Sequence, residues 1–111
     1  MPAMRWWFAK KPATRGKVWS WWHELRPDAV ILDVGLPGED GIALTERLVT
    51  EFPAVVVLIL SAHDEPEYMR RTAEAGAMGY ILKSDAADTL RMALRNAFKG
   101  KRTFSDEIEN F

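Results

Sequence analysis

The chain has 111 residues, 48% of them apolar and 28% charged, which suits one small domain with a single core and excludes a disordered segment. It holds no Cys, so disulfides and thiolate metal sites are excluded and a reducing compartment, the cytoplasm, is expected; no apolar run approaches the ~18 residues of a bilayer span. The net charge of −1 conceals an asymmetry, because residues 1–26 carry +5 and the remainder −6, a balance that gives no patch suited to nucleic acid.

Residues 1–14 have no clean period: Trp6, Trp7 and Phe8 are clustered, and Lys10, Lys11 and Pro12 follow. They are set apart as an atypical Trp-rich basic segment, before a unit over 15–102 and a tail or linker start over 103–111. Across 17–25 the apolar residues Val18, Trp21, Trp22 and Leu25 fall on one helical face, and Pro27 stops that helix. Residues 29–32 then read as a strand buried on both faces. The strand carries Asp33 at its carboxyl end and breaks into a loop punctuated by Gly35, Pro37, Gly38 and Gly41.

Ile42, Leu44, Leu48 and Val49 predict an amphipathic helix with Asp40 as its N-cap, closed by Pro53. Residues 54–60 are seven apolar residues in a row and predict a second central strand, ending in Ser61, Ala62, His63 and Asp64. A helix over 66–75 follows, stopped by Gly76. Residues 79–82 form a third, short strand ending at Lys83, and a last helix spans 86–98. The tail is expected to form at most one turn, capped by Ser105.

Alternating strands and helices define a doubly wound α/β domain, whose right-handed crossovers place all strand ends on one edge of the sheet. Asp33, Ser61 and Lys83 should therefore converge. A carboxylate, a hydroxyl and an ammonium around one point suit an aspartyl phosphate: Asp33 as nucleophile on phosphorus, Ser61 as hydrogen-bond donor, Lys83 as counter-charge. A structural salt bridge between Lys83 and Asp33 is the plainer alternative. A phosphatase of the haloacid-dehalogenase kind would need a second Asp two residues on, where Gly35 stands.

The stretches Arg26-Pro-Asp-Ala-Val-Ile-Leu-Asp33, Leu36-Pro-Gly-Glu-Asp-Gly41, Val57-Leu-Ile-Leu-Ser61-Ala62 and Ala75-Gly-Ala-Met-Gly-Tyr80-Ile-Leu-Lys83, in that order and spacing, resemble the receiver domain of bacterial response regulators. The resemblance is to the NarL/FixJ type and covers about residues 15–108. It implies a flavodoxin-like parallel sheet and a non-enzymatic role in two-component phosphorelay signalling, with a sensor histidine kinase as partner. It implies Asp33 as phosphoacceptor, Ser61 and Tyr80 as switch residues and Lys83 as the active-site lysine. Mg²⁺ would be held by Asp33 and the backbone carbonyl of Gly35. The helix from Pro66, the strand at Tyr80 and the last helix would form an output face through which copies could associate.

Two departures qualify that expectation. The family's first strand, which ends in an acidic pair that holds Mg²⁺, and its first helix are missing, and no acid precedes Glu24. The fold is thus expected to be incomplete, with three clear strands, impaired phosphorylation, and a raw edge beside the Asp33 strand, open to association and in part within reach of the Trp-rich segment. The second departure is that no helix-turn-helix follows, so no nucleic acid is expected as a partner. The Trp-Trp pairs, read as TGGTGG and shifted by one base, contain a Val codon. Residues 1 to about 22 are accordingly expected to be a truncated or frameshifted reading of a receiver. The competing expectation is a degenerate receiver that serves only as a binding module, or a non-functional gene fragment.

Overall fold

A computed structural model describes residues 6–10, 28–34, 39–85 and 87–104. Its elements in chain order are β1 (Trp6–Lys10), β2 (Ala29–Val34), α1 (Glu39–Glu51), β3 (Val56–Ser61), α2 (Pro66–Glu74), β4 (Gly79–Leu82) and α3 (Ala87–Phe98). The strands form one parallel sheet in the order β1-β2-β3-β4. That is one strand more than the three read from the sequence. The addition is β1, whose aromatic run has high strand propensity and lies along β2 from Trp6 opposite Ala29 to Lys10 opposite Asp33. The expected raw edge beside the Asp33 strand is therefore covered, and β2 is an interior strand. The predicted helix over 17–25 and the Ser105 cap lie outside the described residues.

Strands β2, β3 and β4 are buried on both faces, as continuous apolar strands require. On one face Val30, Leu32, Val34, Val57 and Ile59 pack against Ile42, Leu44 and Leu48 of α1 and Tyr68, Met69 and Ala73 of α2. On the other, Ala29, Val56, Leu58 and Ile81 meet Ala93 and Ala97 of α3. α1 presents Gly41, Leu44, Thr45 and Leu48 inward, the spacing of one helical face. It begins at Glu39, so Asp40 stands inside the first turn rather than before it. α2 starts with Pro66 in its first turn and makes no side-chain cap.

The first residues of the tail, Thr103 and Phe104, are tied to the sheet. After α3, Thr103 lies beside the outer edge of β4: its N–H donates to the Met78 carbonyl (2.9 Å), and its carbonyl accepts from Tyr80 N–H (3.1 Å). Asn96 Nδ2 donates to Thr103 Oγ1 at 3.2 Å, and Phe104 is buried in the same cluster as Tyr80. Thr103→Pro removes the donor to Met78, and the ring cannot be accommodated without displacing this strip. Chemical denaturation should show a loss of about 1–2 kcal/mol, the cost of an unmade buried backbone bond. An unchanged midpoint would mean that the strip contributes nothing.

Candidate functional site

Parallel register brings the strand ends level: Val34 stands opposite Ser61, and Ser61 opposite Leu82. Asp33 is the penultimate residue of β2, Ser61 the last of β3, and Lys83 the first residue after β4. All three predicted residues thus come to one edge of the sheet. Lys83 Nζ lies 2.8 Å from Asp33 Oδ1, with the Asp33 side chain 13% exposed and that of Lys83 43% exposed. The carboxylate is therefore largely buried while the lysine that pairs with it stays half exposed, which suits a long aliphatic stem with a charged tip. The Lys83 backbone N–H donates to the Ser61 carbonyl at 2.8 Å, which fixes the two strand ends to each other.

Ser61 is fully buried, and its hydroxyl accepts from the His63 N–H at 3.1 Å. Tyr80 is also buried, and its hydroxyl donates to the His63 carbonyl at 2.7 Å. The Tyr80 hydroxyl also lies within hydrogen-bonding reach of the Ser61 side chain. Burial pushes the Tyr80 phenol above its ordinary pKa of 10.0; the Ser61 hydroxyl, by hydrogen bonding, pulls it partly back, and Tyr68, Glu65 and Asp64 add to the rise. For an acid that ionises to an anion, a raised folded-state pKa means that its stabilising contribution is complete below about pH 10 and lost as the pH rises through the folded value. Stability should fall above that pH, and Tyr80→Phe should flatten the fall. An unchanged pH profile in Tyr80→Phe would contradict the raised pKa.

Sequence reasoning missed two supporting groups. Asp85 Oδ2 accepts from the Leu82 N–H at 3.1 Å, and the Asp85 N–H donates to the Leu82 carbonyl at 2.9 Å, closing the turn that carries Lys83. A Ser-Asp pair just ahead of a helix was the available signal. Tyr68 is the other: its ring meets Tyr80 edge-on, with centroids 6.2 Å apart at 80°.

A divalent metal fits these residues poorly. Mg²⁺ takes an octahedral set of oxygens that includes one or two carboxylates. Among the described residues no group of three or more His, Cys, Asp or Glu could hold a metal ion. One oxygen of Asp33 is engaged by the Lys83 ammonium. Gly35 lies outside the described residues.

Residues 9–95 match the family model of the response regulator receiver domain, and the chain belongs to that family. It is 39% identical over 85 residues to the uncharacterized transcriptional regulatory protein YvfU of Bacillus subtilis, covering 77% of this chain and 42% of that protein. It is also 39% identical over 79 residues to the oxygen regulatory protein NreC of Staphylococcus epidermidis, covering 70% of this chain and 36% of the relative. The chain thus spans about two fifths of the length of these relatives. Among solved structures, the isolated receiver domain of RcsB from Salmonella enterica serovar Typhimurium in its apo form superposes with a TM-score of 0.80 at 19% identity, covering 97% of each chain. That likeness concerns the fold, which is the flavodoxin-like one expected. Among the described residues no helix is long and apolar enough to cross a membrane.

Proposed function

We propose that this domain accepts a phosphoryl group on Asp33 from a sensor histidine kinase, as a non-enzymatic step of a two-component relay, and does so inefficiently. The observation that carries the reading is the 2.8 Å pair between Lys83 Nζ and Asp33 Oδ1 at strand ends level with Ser61. Asp33 Oδ2 attacks phosphorus, the bond from phosphorus to the donor's leaving atom breaks, and the electron pair departs with the leaving group. The product is an acyl phosphate. Lys83 exchanges its partner from carboxylate to phosphoryl oxygen, which offsets the charge that the transfer brings to the site. The Ser61 hydroxyl is the nearby donor for a second phosphoryl oxygen, and Tyr80, anchored to His63, is the switch aromatic beside it.

Inefficiency follows from the missing acidic pair: Asp33 and Gly35, the two ligands that remain, do not make a Mg²⁺ site. The same Lys83–Asp33 pair, read as a plain salt bridge, favours the second reading, a degenerate receiver that acts only as a binding module. Either reading leaves the face made by α2, β4 and α3 as the surface for self-association. Met92 (51% exposed) and Phe98 (40% exposed) on α3 support that role.

The test is intact-mass analysis after incubation with acetyl phosphate. A small fraction of singly modified protein is expected, absent in Asp33→Asn. Lys83→Ala should slow its appearance about 100-fold, the usual cost of losing one charge-stabilising donor. Equal adduct formation in Asp33→Asn would overturn the assignment.

A further inference from the structure

We propose that Tyr68 is a positioning residue that transmits displacement of the start of α1, just beyond the Asp33 loop, to Tyr80. The first observation is a close approach. A Cβ built on Gly41 would lie 2.6 Å from the Tyr68 hydroxyl and 3.0 Å from Val34 Cγ1. Gly41, in the first turns of α1, is therefore hemmed between the phenol on one side and the residue next to Asp33 on the other. The second observation is the edge-on contact of the two rings, 6.2 Å between centroids. The third is the anchor at the far end, where the Tyr80 hydroxyl donates to the His63 carbonyl at 2.7 Å and His63 N–H donates to Ser61 Oγ at 3.1 Å.

Together these contacts close a loop through the core. It runs from the end of β2 across Gly41 to Tyr68, from ring to ring, and back through His63 to Ser61 at the end of β3. Each member is at least partly buried, and Tyr68 is only 5% exposed. A close-packed interior passes a displacement on because no free volume absorbs it. A phenol seated on a glycine is an unusually direct version, since the ring whose hydroxyl meets Gly41 is the ring that packs against Tyr80. Simple packing of Tyr68 would show the same burial but no dependence of Tyr80 on Gly41. A measured coupling is what separates the two.

Tyr68 and Tyr80 are the two tyrosines of the chain. Labelling with 3-fluorotyrosine therefore gives two fluorine resonances, assigned by Tyr68→Phe and Tyr80→Phe. Gly41→Ala is expected to move the Tyr80 resonance by more than its line width, along with that of Tyr68. In a Tyr68→Phe background the added methyl no longer meets a hydroxyl, and Gly41→Ala should leave the Tyr80 resonance in place. Should Gly41→Ala fail to fold, Val34→Ala relaxes the same contact from its other side and is compared in the same two backgrounds. A Tyr80 resonance that does not respond, or that responds equally with and without the Tyr68 hydroxyl, overturns the proposal. The inference deepens the reading of Asp33 as acceptor, but the measurement is made on unmodified protein. The relay can therefore fail while phosphoryl acceptance stands, and the reverse.

Discussion

Leu58→Ala is expected to lower the unfolding free energy by about 3–4 kcal/mol, read from urea denaturation. Leu58 is fully buried on β3, with Ile31 opposite on β2 and Gly79 opposite on β4. It packs in the cluster formed with Ile81 and with Ala93 and Ala97 of α3. The surrounding side chains relax only partly into the space a leucine leaves, so a cavity remains and adds to the lost transfer free energy. For a chain whose total stability is on the order of 5–15 kcal/mol, that is a large share. A second substitution tests the cause. A Cβ on Gly79 would lie 2.9 Å from Leu58 Cδ2, so Gly79→Ala overpacks the wild type. With Leu58 truncated the same methyl has room on that side, and its cost should shrink. Strictly additive losses would show that the two residues do not share the space.

Gly76→Ala should cost roughly 2–4 kcal/mol, while Gly100→Ala should cost about 1–2 kcal/mol. Both glycines end a helix in the left-handed region, at φ of 112° and 79°. Both close the same pair of bonds. After α2, Gly76 N–H donates to the Ala73 carbonyl (3.1 Å) and Ala77 N–H to that of Thr72 (3.0 Å). After α3, Gly100 N–H donates to the Ala97 carbonyl (3.0 Å) and Lys101 N–H to that of Asn96 (2.8 Å). This is the double-bonded stop that satisfies a helix's last carbonyls and needs a left-handed residue. The surroundings differ. A Cβ on Gly76 would meet both Val49 methyls at 2.9 Å, whereas one on Gly100 meets nothing within 4 Å. Strain alone therefore acts at Gly100, and strain plus overlap at Gly76. Val49→Ala should recover part of the Gly76→Ala loss and none of the Gly100→Ala loss. Equal losses at the two glycines would contradict this division.

Where the sequence was legible, the signal was local. The apolar runs behind Asp33 and Ser61 admit few conformations other than buried strands. Pro66, Gly76 and Gly79 marked boundaries that the structure keeps within a residue or two. Convergence of Asp33, Ser61 and Lys83 followed from handedness and not from any contact visible in the chain. β1 was not legible, because Trp6, Trp7 and Phe8 neither alternate nor form a branched apolar run, and its pairing with β2 is non-local. The strip at Thr103 was hidden for the same reason: a single residue bridging to Gly79 leaves no periodicity. The seat of Tyr68 on Gly41 depends on the packing of α2 against α1, which no pattern within either helix records.

The most direct measurement of Asp33 as the acceptor is to trap and locate the product. Protein treated with excess acetyl phosphate is reduced with borohydride, which converts an acyl phosphate to an alcohol, and the altered residue is found by peptide mass mapping. On the proposed reading the expected result is a low yield of reduced side chain at Asp33, absent in Asp33→Asn and not raised by Mg²⁺. Reduction at another carboxylate, or none at Asp33 under a large excess of phosphodonor, would contradict the assignment. A yield that climbs steeply with Mg²⁺ would contradict the proposed inefficiency.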